Sequence, residues 1–205
     1  MNYETIPSEE VIQKTAKALK SRGIEVYIVN NKEEALAKVK ELIPQGASVM
    51  NGSSTTLDQI GFVDYLKDGK HGWNNLHDAI LVEKDQSKQM ELRMQSSFAE
   101  YFLGSVHAIT EDGQTLTASA SGSQIAPYAF TARNLVWVAG AHKIVPSLEE
   151  GLKRMREYVF PKEDARMKSV GFPGSSLNKI LIFEREGAMM GRKVSMILVK
   201  EVLGF

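Results

Sequence analysis

Leu135-Val136-Trp137-Val138-Ala139 is an unbroken apolar run of strand length, with no polar residue on either alternating face. A strand of that kind is shielded from water on both sides. It belongs to a parallel sheet covered by helices, because a hairpin with one wet face would alternate apolar and polar residues. The upstream sequence supplies such helices. Ser8 is placed to cap a helix with Val11, Ile12, Ala16 and Leu19 on one stripe, closed before Gly23. Glu25–Val29 reads as a strand. Asn31 opens a second helix, with Glu34 in capping-box position and Ala35, Leu36, Val39, Leu42 and Ile43 facing inward; Pro44 and Gly46 stop it. Ala47–Met50 then reads as another strand. Helix, strand, helix, strand with short connections predicts a parallel sheet between helices.

The remaining segments are less regular. Asp68-Gly69-Lys70-His71-Gly72-Trp73-Asn74-Asn75 reads as a turn-rich surface loop. From Asp85 to Leu103 a helical period runs through Met90, Met94, Phe98 and Tyr101 or Phe102, and a Met stripe at that spacing is expected to fill core. Val106–Thr110 and Gln114–Ala120 read as two strands joined by the tight turn Glu111-Asp112-Gly113. Gly122–Ala132 reads as a helix that begins in a small-residue loop. Ser147 and Glu150 form a capping box for a helix carrying Leu148, Leu152, Met155 and Val159, which Pro161 is expected to end. Lys179–Glu184 and Val194–Val202 read as a strand pair across Arg185–Lys193. With no internal repeat or long linker, residues 1–205 are expected to form a single domain.

Composition excludes several functions. Lys plus Arg number 25 and Asp plus Glu number 25, so no global positive charge is available for nucleic acid. There is no Cys, hence no disulfide, thiolate zinc site, cluster ligand or thiol nucleophile on this chain. His71, His77 and His107 lack metal-ligand spacing, so no metal or other cofactor is expected. No apolar run approaches the length of a membrane span, and Met1-Asn2-Tyr3-Glu4 does not start a secretory signal. A cytoplasmic location is expected.

Four segments offer chemistry. Asn51-Gly52-Ser53-Ser54-Thr55-Thr56 follows a strand, where ligands of open α/β sheets bind, and its hydroxyls and N–H groups suit an anion. The same residues would equally serve as a capped strand–helix turn. Glu111, before Asp112-Gly113, is a candidate general base or nucleophile, or a plain residue of a hairpin turn with Gly113 supplying the bend. Ser121, Gly122, Ser123 and Gln124 permit close approach to a ligand, or only tight packing. After the apolar run, His142 could transfer protons and Lys143 hold an anion, although a lone His is often structural.

Ser53-Ser54-Thr55-Thr56-Leu57-Asp58-Gln59-Ile60-Gly61, Thr110-Glu111-Asp112-Gly113, Val136–Val145 with Gly140 and His142-Lys143-Ile144-Val145, and Ile197–Phe205 together resemble the lactate-utilisation (LUD) domain family. The likeness runs from about Ala47 to Phe205, with residues 1–46 as preceding helices and first strand. It implies a three-layer α/β/α, Rossmann-like fold of the NagB/RpiA/CoA transferase-like type, mostly parallel with an antiparallel hairpin. It also implies a tie to LutC, a component of a bacterial L-lactate oxidation system that includes iron–sulfur proteins. Two departures stand out. Arg166–Leu177 carries no thiol where many short relatives are cysteine-rich, and His142 stands where relatives often have Asn. Among fold relatives, coenzyme A transferases use a Glu-x-Gly nucleophile, which Glu111-Asp112-Gly113 resembles.

The resemblance thus implies a protein that binds a small anionic metabolite in organic-acid use, at a cleft where Asn51–Thr56, Glu111 with Gly113, Ser121–Gln124 and His142-Lys143 converge. A free-standing transferase or sugar-phosphate isomerase using Glu111 is the alternative. A third reading is a non-catalytic subunit that docks an iron–sulfur redox partner through Phe172, Met189 and Met190. A homo-oligomer is compatible with the sequence; nucleic acid and membrane partners are not expected.

Overall fold

Local sequence sets the first elements in the computed structural model, which describes residues 1–205 apart from the side chain of Met190. The Ser8 hydroxyl accepts from the Val11 N–H and starts α1 (Glu9–Ser21), whose Ile12, Ala16 and Leu19 are buried. After β1 (Ile24–Val29), the Asn31 side chain caps α2 (Lys32–Leu42) by accepting from the Glu34 N–H. Glu34 turns back to the N–H of Asn30, one residue before the cap. Next come β2 (Ser48–Asn51), the short α3 (Thr55–Gln59) and α4 (Phe62–Lys67), and β3 (Asn74–Asn75). Two helices, α5 (Leu76–Val82) and α6 (Gln86–Gln95), lead to β4 (Tyr101–Gly104). The hairpin is β5 (Ala108–Thr110) and β6 (Thr115–Ser119), and the apolar run lies in β7 (Asn134–Gly140). Then follow β8 (Ile144–Val145), α7 (Leu148–Arg154), α8 (Phe160–Ser169), β9 (Lys179–Phe183) and β10 (Lys193–Val199).

The main sheet has six parallel strands in the order β1-β10-β7-β4-β2-β3. Alternation along β7 feeds two cores, as the unbroken apolar run requires. Leu135, Trp137 and Ala139 pack on one face with α1, Ile80 of α5 and Tyr128. Val136 and Val138 pack on the other with Ala35 and Val39 of α2 and with Leu57, Phe62 and Leu66. This is a Rossmann-like α/β/α arrangement. A second sheet, β8-β5-β6-β9, lies over the first face. Phe183 of β9 meets Trp137 edge-on at 5.2 Å, and the sheet's other side closes a small core with Met155 and Tyr3.

Several expectations need correction. Residues 68–75 are turn-rich, with Asp68, Gly69, Lys70, Gly72 and Asn74 exposed, but His71 and Trp73 are buried, stacked at 5.3 Å, with the Trp73 indole N–H donating to the Ile43 carbonyl. The helical period seen through Phe102 stops at Phe98, and Tyr101–Gly104 is an interior strand. Met90, Met94 and Phe98 are not core: each is more than half exposed, and α6 buries no residue. The helix expected over 122–132 is shorter, running over residues 125–131 and ending in the wide turn Pro127–Thr131. Pro161 does not end its helix. A wide helical turn at Met155–Val159 precedes it, and the proline sits in the first turn of α8, where its missing N–H costs little. The last two strands do not pair with each other. β9 joins β6 antiparallel, while β10 runs parallel between β1 and β7.

Candidate functional site

Loops that follow the carboxyl ends of β2, β4, β7 and β10 meet at a cavity of about 590 Å³. Residues 53–56 come from the first, Ser105–His107 from the second, Lys143 from the third, and Gly204 and Phe205 from the fourth. The far wall is the end of β6, Ala118 and Ser119, with Ala120, Ser121, Ser123 and Gln124 of the loop after it. Phe160, Glu163, Arg166 and Met167 of α8, with Phe172 and Leu177 beyond it, form the cover. The position is the one an open parallel sheet offers to ligands.

Each wall is fixed by local bonds. Ser54 caps α3 by accepting from the Leu57 N–H, which orients the hydroxyl-rich loop. Gly52 lies under Gln124, where a Cβ would sit 3.0 Å from its amide oxygen, and the Gln124 Nε2 donates to the Ala118 carbonyl at 3.1 Å. At Gly104 a Cβ would overlap the Tyr128 hydroxyl; its absence lets that hydroxyl donate to the Ser105 carbonyl at 3.0 Å. Burial pushes the Tyr128 phenol up, so it stays protonated and able to donate. The His107 Nδ1 accepts from the Ala118 N–H at 2.9 Å, which places the proton of the neutral ring on Nε2.

Lys143 is 1% exposed and has no carboxylate partner. Its Nζ donates to Thr56 Oγ1 and to Ser105 Oγ, each at 3.0 Å. Burial, with the Arg154 cation second, holds this amine well below the ordinary lysine range. Arg154 is itself fully buried, donates to the His107 carbonyl, and lies against the rings of Tyr158 and Tyr3 at 5.0 and 5.6 Å. Of the lining side chains only that of Glu163 carries a carboxylate, and Arg166 binds it through two bonds of 2.7 and 2.8 Å. Arg93 also lines the cavity and has no ion-pair partner among the described residues.

Ser53, Ser54, Thr55, Thr56, Ser121, Ser123, Gln124 and Lys143 come together in this wall. Other candidates lie elsewhere. Asn51 is buried, with its Nδ2 on the Gly52 carbonyl, and Gly122 packs on the Lys179 stem. Gly113 bends at φ +87° against the backbone of Ala18 and Leu19. Glu111 does not reach the cavity, contrary to the expected convergence. The open end of its hairpin, at 105–107 and 118–120, faces the cavity, so the turn points away and the carboxylate pairs with Lys14 at 2.8 Å. His142 is 1% exposed, does not line the cavity, and burial pushes its pKa down to about 3. Sequence reasoning passed over Ser105, His107, Arg93 and Arg166. Recognising Tyr101–Gly104 as a strand would have drawn attention to Ser105 and His107 just beyond its carboxyl end. Among the described residues no group of three or more His, Asp or Glu is placed to hold a metal. Phe172 lines the cavity and Met189 is fully exposed, whereas the side chain of Met190 lies outside the described residues.

The sequence model of the LUD domain matches residues 12–186. The chain belongs to the LUD-domain family. That family, linked to lactate utilisation, is the one suggested by residues 53–61, 110–113, 136–145 and 197–205; its match reaches further upstream than Ala47 and stops at residue 186, short of the last of those segments. A crystal structure of a DUF162 family protein from Deinococcus radiodurans is similar in fold: TM-score 0.55 at 11% identity, over 94% of this LUD domain and 99% of that chain. A crystal structure of eIF2B beta from Chaetomium thermophilum gives a TM-score of 0.32 at 12% identity, over 68% of this chain and 44% of that one. That second likeness is too slight to bear on the fold. No curated protein sequence matches this chain. No helix is long and apolar enough to cross a membrane.

Proposed function

We propose that this LUD domain binds a small organic anion, a carboxylate-bearing metabolite of organic-acid use, in the cavity at the carboxyl ends of its parallel strands. The observation that carries the reading is the kind of polar group set into a wall whose remainder is apolar. Serine and threonine hydroxyls, the Gln124 amide and the Arg93 and Arg166 guanidiniums line the space together with Val106, Val159, Met167 and Phe172, and the single acidic side chain there is already matched by Arg166. Such a wall offers donors, the unpaired charge of Arg93 and no unpaired acidic side chain among the described residues, and the cavity's volume falls within the usual range for small-molecule sites. Glu111 and His142 have no part in this reading, since neither lines the cavity.

A thermal-shift panel of 2-hydroxy acids, 2-oxo acids, acyl-coenzyme A thioesters, sugar phosphates and nucleotides tests it. A carboxylate at 100 times its Kd adds about 2.7 kcal/mol of stability, with a corresponding rise in Tm that weakens as salt is added. The reading is wrong if no carboxylate shifts Tm, or if only uncharged compounds do.

A further inference from the structure

Lys143 is held in a way that anion binding alone does not require. An ammonium buried beside hydroxyls needs a counter-charge, and none is present: its two side-chain partners are the neutral hydroxyls of Thr56 and Ser105. Each hydroxyl also has a carbonyl to which its own proton goes. Thr56 Oγ1 donates to the Leu203 carbonyl at 3.2 Å, and Ser105 Oγ donates to the Val106 carbonyl at 3.4 Å. Both oxygens can therefore only accept from Nζ. A neutral amine has two hydrogens and one lone pair; the two hydroxyls take the two hydrogens, and the lone pair is left without a donor to bind it. Burial acts in the same direction, favouring the neutral amine. Lys143 lines the cavity while only 1% exposed, so the cavity is the amine's route to a ligand.

We infer that Lys143 is a nucleophile for a small carbonyl-bearing carboxylate, an oxo acid, which it captures as an imine. The inference rests on the anion-binding reading above and names the ligand's second functional group. The carboxylate meets the guanidiniums and loop hydroxyls, and the carbonyl carbon meets Nζ. The lone pair forms the C–N bond. The carbonyl oxygen then leaves as water, carrying the two amine hydrogens, and a C=N bond remains. No oxidant or reductant enters this step. An uncharged, desolvated lysine is the form such capture requires.

Borohydride trapping tests the assignment. The intact chain is incubated at neutral pH with pyruvate or glyoxylate, treated with borohydride, and mapped by peptide mass spectrometry, while thermal shift reports binding of the same acids. Hydride addition to the imine carbon leaves a stable secondary amine. The expected result is an adduct on Lys143 at least tenfold above that on Lys67 and Lys70, which are 71% and 80% exposed. Lys143→Met removes that adduct and retains the surface background. Because the mapping is done on the unaltered chain, a Lys143→Met chain that fails to fold does not spoil the result. Binding of the oxo acid with no adduct above background overturns the imine and leaves the anion reading intact. Neither binding nor adduct overturns both.

Discussion

In His77, His107 and His142 burial disfavours the imidazolium, so each pKa lies below the ordinary histidine value, and those of His107 and His142 fall to about 3. In the unfolded chain these rings take up protons near pH 6.5. In the folded chain His77 takes up its proton at lower pH than that, and His107 and His142 only near pH 3. Between those limits the unfolded state binds more protons. Their neutral packing is thus fully compatible with the fold above about pH 6.5, and stability falls as pH is lowered through the window. Each histidine held neutral contributes a slope of about 1.4 kcal/mol per pH unit once the unfolded form is protonated. Urea unfolding from about pH 7 to about pH 5, above the carboxylate range, reads this directly. The wild-type chain loses stability over that interval, and His142→Asn shows a shallower loss. An equal slope in both would mean that His142 takes up its proton in the folded state.

At the scale of elements, the hairpin β5–β6 shows which contacts hold a segment in place. Its tip meets α1 and its C-cap at three points: the exposed Lys14–Glu111 ion pair, the Arg22 Nε donating to the Asp112 carbonyl at 2.6 Å, and Gly113 packed on the Ala18–Leu19 peptide. An exposed pair contributes little, whereas a Cβ at position 113 would lie 2.7 Å from the Ala18 carbonyl carbon at a φ of +87°. Gly113→Ala is therefore expected to cost more than about 1 kcal/mol in chemical denaturation, and Lys14→Ala to change stability far less. The reverse order would assign the tip's docking to charge. The hairpin and the caps at Ser8, Asn31 and Ser147 were legible because each is a local device: a side chain bonds an N–H three residues on, or a Gly supplies a positive φ. β4 was not legible. It is four residues long, and its apolar residues continue the period of the helix before it. Nor was the separation of β9 from β10, since pairing with β6, β1 and β7 depends on contacts remote in sequence. The cavity divides in the same way. Ser53–Thr56 and Lys143 follow strands that the apolar pattern reveals, while Ser105 and His107 follow the hidden β4, and Arg166 arrives only through a helix that continues past Pro161.

At the scale of the whole molecule, two sheets share one apolar face, with Trp137 between Tyr128 and Phe183. That packing brings the open end of the hairpin over the carboxyl ends of the main strands and leaves room beneath it. The cavity is a consequence of the topology: parallel strands end in loops on one rim, and the second sheet and α8 close over them. The central claim is that this space receives a small organic anion, and Ala120, a small partly exposed residue of its wall, gives the means to test it. The decisive measurement is a pair of calorimetric titrations with the carboxylate that most raises Tm, one on the wild-type chain and one on an Ala120→Trp chain shown to fold by its unfolding transition. The account predicts one-to-one binding to the wild type and at least a tenfold weaker affinity once the indole fills the cavity. Equal affinity in the two chains would place the ligand elsewhere and contradict it.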